Sequence, residues 1–94
     1  MEYFYIYILR CADGTFYVGH TDNLEKRIAD HHDGNGCRYT KYNRPLTLVH
    51  NEAFQTRDEA FAAERKIKNW SQKKKEAYIA KKWEQLSKFS KKEF

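Results

Sequence analysis

Cysteine is scarce in this chain: Cys11 and Cys37 allow at most one bridge, and they form no Cys-x-x-Cys pair. Free thiols are therefore expected, as in a reducing compartment. Long apolar runs are also missing. The stretch Phe4 to Leu9 is six residues, against roughly 20 for a membrane helix, so no membrane span and no membrane partner are expected. No basic leader precedes it and no small-residue cleavage site follows, so the expected location is cytoplasmic. There is no internal repeat, and neither the histidine nor the cysteine spacing fits a zinc ligand set.

What is present suits one small domain over residues 1–94, ending in a basic helical segment at about 71–94. Apolar residues make up 40% of the chain and aromatics 16%, too many for a disordered segment. The net charge of +5 is unevenly placed. Residues 65–92 carry eleven Lys or Arg against two acids, whereas the remainder is acidic, with seven against eleven. Such a concentration at one end is the footprint of a polyanion binder, although a solvated lysine face has the same charge. Trp70, Tyr78, Trp83 and Phe89 in the same region exceed what a merely solubilising tail needs.

Residues 3–9 are β-branched or aromatic on both alternating sets, which predicts a strand covered on both faces. Ala12-Asp13-Gly14 then leads into a second strand, Thr15 to His20. A two-residue Asp-Gly turn would pair Arg10 with Tyr17. A three-residue loop, with Gly14 left-handed, would pair Leu9 with Tyr17 and Tyr7 with Gly19. Only the second loop puts Tyr7 and Tyr17 on one face, and it is the one preferred here. Asp22 and Glu25 read as an N-cap and capping box for a first helix running to about His32. An irregular stretch, 33–45, closes at Pro45, and Leu46 to Phe54 reads as a third strand. Thr56 and Glu59 cap a second helix with Ala60, Ala63, Ile67 and Trp70 inward. Ser71 recaps a third, with Ile79, Trp83 and Leu86 as its stripe. The expected architecture is α+β: a three-stranded antiparallel sheet flanked by helices, in the order ββαβαα.

Some polar residues share the inward stripes. Arg27 and His31 ride beside Leu24 and Ile28, and Glu64 rides beside Ala60, Ala63 and Ile67. Such groups must be paired or face a cleft, because burying them alone is costly. An Arg27–Glu64 salt bridge is one solution. The other is a shallow cleft over the first two strands lined by Tyr7, Tyr17, Arg27, His31 and Glu64. Phosphodiester hydrolysis needs a base for water, positive charge at the phosphorus and help for the leaving oxygen. A phenol of lowered pKa can take the proton, and Arg27 offers a fork matched to phosphate oxygens. Glu64 alone can hold one Mg²⁺ or Mn²⁺ that keeps most of its waters.

With those residues in view, the sequence resembles a GIY-YIG endonuclease domain over essentially its whole length. Tyr5-Ile6-Tyr7 resembles the first signature triplet and Tyr17-Val18-Gly19 matches the second. Arg27 and His31 fall on the arginine and histidine of the following helix, and Glu64 falls on the metal-binding glutamate. Small stand-alone bacterial members share the Ile8-Leu9-Arg10-Cys11 and Asp13-Gly14 hairpin, Tyr39-Thr40 and Arg44-Pro45. The resemblance implies one-metal hydrolysis of DNA. Tyr17 or Tyr7 would act as or position the base, Arg27 would stabilise the transition state, and Glu64 would ligate Mg²⁺ or Mn²⁺. Tyr5 stands where the family name has glycine. Lys74, Lys75 and Glu76 occupy the neighbourhood where larger members carry an asparagine, with Asn69 nearer. His20 sits where relatives often have a basic residue.

The 33–45 stretch interleaves Arg38, Tyr39, Lys41, Tyr42 and Arg44. This mixture suits phosphates and unpaired bases, or tyrosines packed back onto the strands. Together with Lys73, Lys74 and Lys75 it gives the expected nucleic-acid contacts. The expected function is a metal-dependent endonuclease acting on DNA, structured or damaged, with RNA left open. The rival from another class is a nucleic-acid-binding module of the same fold without turnover. A third is a protein-interaction domain using its aromatic, basic last helix.

Overall fold

The computed structural model describes residues 2–87, with side chains through Lys81. Trp83, Leu86 and Phe89, assigned above to the last helical segment, lie outside the described side chains. The chain runs β1 (Phe4–Arg10), β2 (Phe16–Thr21), α1 (Leu24–His32), α2 (Arg38–Lys41), β3 (Thr47–Phe54), α3 (Arg57–Lys68) and α4 (Gln72–Ser87). The three strands form one antiparallel sheet in the order β2-β1-β3. The expected α+β class and ββαβαα order hold, with one addition. The 33–45 stretch is not wholly irregular, because Arg38–Lys41 closes into the short helix α2.

β1 is the centre, and its sequence explains why. Ile6, Ile8 and Leu9 are fully buried and Tyr7 nearly so, so both of its faces are covered. Each such side chain contributes roughly 1.5–3 kcal/mol by leaving water. Ile6 and Ile8 join Phe16, Val18, Ala60 and Ile67 beneath α3, with Trp70, Tyr78 and Ile79 packed alongside. Tyr7 and Leu9 join Cys11 and Leu46 on the opposite face, against Leu24 and Ile28 of α1. Both cysteines are free thiols.

A register shift between Ile8 and Leu9 makes Ile8 face His50 while Leu9 faces Leu48. Val49 is thus the additional residue of a β-bulge. Leu48 packs with the Tyr7 cluster and Val49 with the Ile6 cluster.

The β1–β2 hairpin has the three-residue loop, with Gly14 at φ 87° and Leu9 opposite Tyr17. Thr56 caps α3 by accepting from Glu59 N, and Ser71 Oγ accepts from Lys74 N at the start of α4. The cap of α1 corrects the sequence expectation. Asn23, not Asp22, accepts from Lys26 N, while Thr21 Oγ1 receives Asn23 N. Asp22 instead meets Arg57 at 3.4 Å in solvent. Asn23→Ala should therefore lower stability by about 1 kcal/mol in urea titrations. Asp22→Ala should change it by less than about 0.5 kcal/mol, and the reverse order would restore the original capping scheme.

Candidate active site

The hairpin register puts Tyr7 opposite Gly19, with Tyr17 on the same face. The two phenol rings lie 6.3 Å apart between centroids. Gly19 makes this possible. A Cβ there would fall 2.5 Å from Tyr7 Oη and 3.2 Å from the Tyr17 ring. The bare backbone of β2 therefore forms the floor under both rings.

α1 delivers Arg27 and His31 to that floor because they are one turn apart. His31 is fully buried and bonded at both ring nitrogens, Nε2 to Tyr7 Oη and Nδ1 to Thr40 Oγ1, each at 2.8 Å. The Thr40 hydroxyl donates to the carbonyl of Cys37 at 3.2 Å, so its oxygen accepts from His31 Nδ1–H. Nε2 must then be the acceptor, and Tyr7 donates to it. Arg27, which can only donate, bears on the Tyr7 phenol and pulls its pKa down. An Arg27 contact, Nη2 to Gly36 O at 3.3 Å, fixes the guanidinium. Gly36 is again a place without room, since a Cβ would overlap the His31 ring.

Burial raises Tyr7 above its ordinary value of 10.0, against the pull of the Arg27 hydrogen bond and charge. Burial also raises Tyr17, with the neighbouring Tyr7 and Cys37 adding to it. His31 is lowered to about 4 by burial and then by Arg27. In the resting site the proton stays on Tyr7, and neutral His31 orients it. Burial acts to raise the Cys37 thiol, but hydrogen bonds with Thr40, Tyr17 and the Tyr39 backbone hold it below the usual range.

Glu64 reaches the site from the other layer. It is 7% exposed on α3, beneath the Ile6 and Ile8 face. Burial would raise its carboxyl, yet Lys68 and then His20 hold it below the ordinary carboxylate range. Lys68 Nζ lies 2.8 Å from Oε2, and His20 Nδ1 bonds Oε1. The Arg27–Glu64 bridge that the sequence left as one alternative is absent, since the Glu64 oxygens meet Lys68 and His20 instead. Tyr7, Tyr17, Arg27 and His31 share one face, and Glu64 with His20 approaches round the edge strand β2. Lys68 spans the gap, its Nζ 5.8 Å from the Tyr17 ring centroid. The Glu64 charge also bears on Tyr7, adding to the rise in its pKa.

The expected nucleic-acid contacts occupy two surfaces. Arg38, Tyr39, Lys41 and Arg44 are exposed on and beside α2. The Tyr39 ring stacks on Tyr17 at 6.3 Å and its hydroxyl bonds Thr15, so it walls the site. Lys73, Lys74 and Lys75 start α4, where Lys74 sits 4.6 Å above Trp70 and Lys75 is half-buried.

A GIY-YIG catalytic domain model matches residues 3–77, from the start of β1 into α4. The chain belongs to the GIY-YIG family. It is 45% identical over 75 residues to a UPF0213 protein of Bacillus pumilus, covering 80% of this chain and 76% of that one. YazA of Bacillus subtilis, also a UPF0213 protein, is 44% identical over 78 residues, covering 83% and 79%. The solution NMR structure of a UPF0213 protein from Bacillus halodurans superposes with a TM-score of 0.58. It is 38% identical, covering 96% of this chain and 98% of that one. A protein from E. faecalis, also solved by NMR, gives 0.57 at 36% identity, covering 100% and 96%. GIY-YIG membership places the chain in a nuclease family.

For this GIY-YIG chain the sequence left Thr40 and Lys68 without a role. Thr40 is a small polar residue in a loop, and its burial by His31 depends on α2, which no sequence signal announces. Lys68 was legible as the i+4 partner of Glu64 on α3, a spacing that brings the two together.

The buried histidine also sets a pH dependence. An unfolded imidazole protonates near 6.5, while the native one resists until about 4. The unfolded chain therefore binds the extra proton in that window, and this contribution to stability is lost as pH falls through it. From pH 7 to pH 5 the loss should be about 2 kcal/mol in urea unfolding. His31→Gln should remove most of that slope, and an unchanged slope would contradict the protonation state assigned here.

Proposed function

We propose that the chain is a metal-dependent DNA endonuclease that hydrolyses phosphodiester bonds in structured or damaged DNA. The observation that carries this reading is the Tyr7 hydroxyl, which bonds to His31 within the influence of the Arg27 charge, over the bare backbone of Gly19. A phenol so placed has a defined direction in which to lose its proton and a cation to hold the resulting charge. Tyr17 has no imidazole hydrogen bond of this kind, so Tyr7 is the base and Tyr17 a wall of the site. Tyr7 takes the proton of the attacking water while passing its own to His31 Nε2; the water oxygen bonds to phosphorus, the bond to the leaving oxygen breaks, and that oxygen takes its proton from solvent. Arg27 steadies the charge that builds on the phosphate oxygens.

The Glu64 carboxylate fits one divalent cation. It is held ionised, and each oxygen already meets a cationic or protonatable nitrogen. Among the described residues there is no cluster of three or more His, Cys, Asp or Glu, so an ion on Glu64 would have to keep most of its water. Bound there, Mg²⁺ or Mn²⁺ would supply Lewis-acid polarisation of the phosphate and a field favouring the phenolate. Lys68 must leave Oε2 to make room. Its side chain is half exposed, so it has somewhere to go.

The Lys68–Glu64 contact itself supports a second reading, a nucleic-acid-binding module without turnover, in which Lys68 stays on Glu64. Two measurements separate them. With Mg²⁺ or Mn²⁺ and branched, nicked and single-stranded DNA, Glu64→Ala and Arg27→Ala should each cleave at least about 100-fold more slowly than the native chain. Equal rates for all three would overturn the hydrolase reading. In calorimetry without DNA, Lys68→Met should bind Mn²⁺ about fivefold tighter, because a half-exposed tethered cation worth about 1 kcal/mol is removed. Unchanged or weaker binding would remove Lys68 as the competitor and Glu64 as the ligand.

A further inference from the structure

Beside the site, α2 has a second surface that the hydrolytic chemistry does not use. Thr40 points inward to His31, and the next two residues point outward. Tyr42 keeps 69% of its surface exposed, the most of any large apolar side chain among the described residues. Lys41 Nζ stands 5.5 Å from the centre of its ring. The two residues border a hollow of about 540 Å³ with His32, Arg44 and Pro45.

Arg44 is fixed in place although exposed. Its Nε donates to Lys41 O at 3.1 Å and its Nη1 to His32 O at 3.3 Å. Its guanidinium lies against Gly34, where a Cβ would come 3.0 Å from Cζ. Gly34 has a φ of 86°, a conformation that other residues rarely adopt, so the chain leaves a bare shelf for the guanidinium. Among the described residues neither Lys41 nor Arg44 has a carboxylate partner. The hollow therefore combines an exposed aromatic ring, a pre-set guanidinium and an exposed ammonium, with no acid on its lining.

We infer that this hollow seats one unpaired nucleotide of a DNA strand, with its base stacked on Tyr42 and its phosphate on Arg44 and Lys41. A paired base keeps its faces inside the duplex stack and cannot lie on the ring. Stacking on an exposed aromatic is available to any base, and the cations alongside take up the backbone charge. The seat is coupled to the site through chain neighbours: His32 follows His31, and Lys41 follows Thr40. The inference rests on the nucleic-acid part of the proposed function and narrows its substrate to DNA with an unpaired stretch beside the scissile phosphate.

The test needs no turnover. A short single strand carrying 2-aminopurine is titrated with the full chain in EDTA, following fluorescence quenching and anisotropy. The native chain should quench the probe and bind it more tightly than a blunt duplex of the same sequence. Tyr42→Ala should abolish the quenching and weaken binding about 5- to 150-fold, while Tyr42→Trp should keep both. Arg44→Ala should weaken binding but leave residual quenching. The inference is overturned if Tyr42→Ala binds and quenches like the native chain, or if the duplex binds equally well. Tighter binding of the matching RNA strand would overturn the assignment to DNA. Failure of cleavage with intact quenching would count against the hydrolase reading and leave the seat standing.

Discussion

The arrangement depends on one hydrogen-bonded oxygen. Tyr7 Oη lies in the buried layer between α1 and the sheet, where an unsatisfied hydroxyl would be costly. It is satisfied by an acceptor on His31, and the Arg27 charge bears on it from the same helix. Each of those partners is itself held: His31 by Thr40, Thr40 by the Cys37 carbonyl, and Arg27 by the Gly36 carbonyl. Two glycines, Gly19 and Gly36, provide the space. Burial and polarity are thus reconciled by a chain of donors with one direction, which is also what an oriented proton acceptor requires.

The second constraint is charge placed across an edge. Glu64 belongs to the α3 layer and the phenols to the α1 layer, so they meet only where β2 ends the sheet. In the metal-free chain Lys68 and His20 compensate the carboxylate. The site is therefore folded and electrically balanced before any cation or phosphate arrives. Its phenols remain protonated because burial raises both.

Much of this was legible in the sequence where local geometry decides it. The Ala12-Asp13-Gly14 loop set the register, and the register set Tyr7, Tyr17 and Gly19 on one face. The one-turn spacing brought Arg27 and His31 together. Thr56 stood alone as a cap and was read correctly. At Asp22-Asn23 two adjacent residues were both capable caps, and only the Thr21 contact with Asn23 N decides between them. The bulge at Val49, the α2 turn and the approach of Glu64 round β2 depend on tertiary packing, which leaves no periodic trace. Sequence pattern placed Glu64 on an inward face but carried no information on which layer that face would meet.

The central claim is the direction of the hydrogen bonds through His31. Nitrogen NMR of the imidazole ring reads it directly, because protonated and unprotonated ring nitrogens have separate shifts. The expected result is a neutral Nδ1–H tautomer with a bare Nε2, persisting on acidification until about pH 4. An Nε2–H tautomer, or titration close to 6.5, would mean that Tyr7 does not donate to His31.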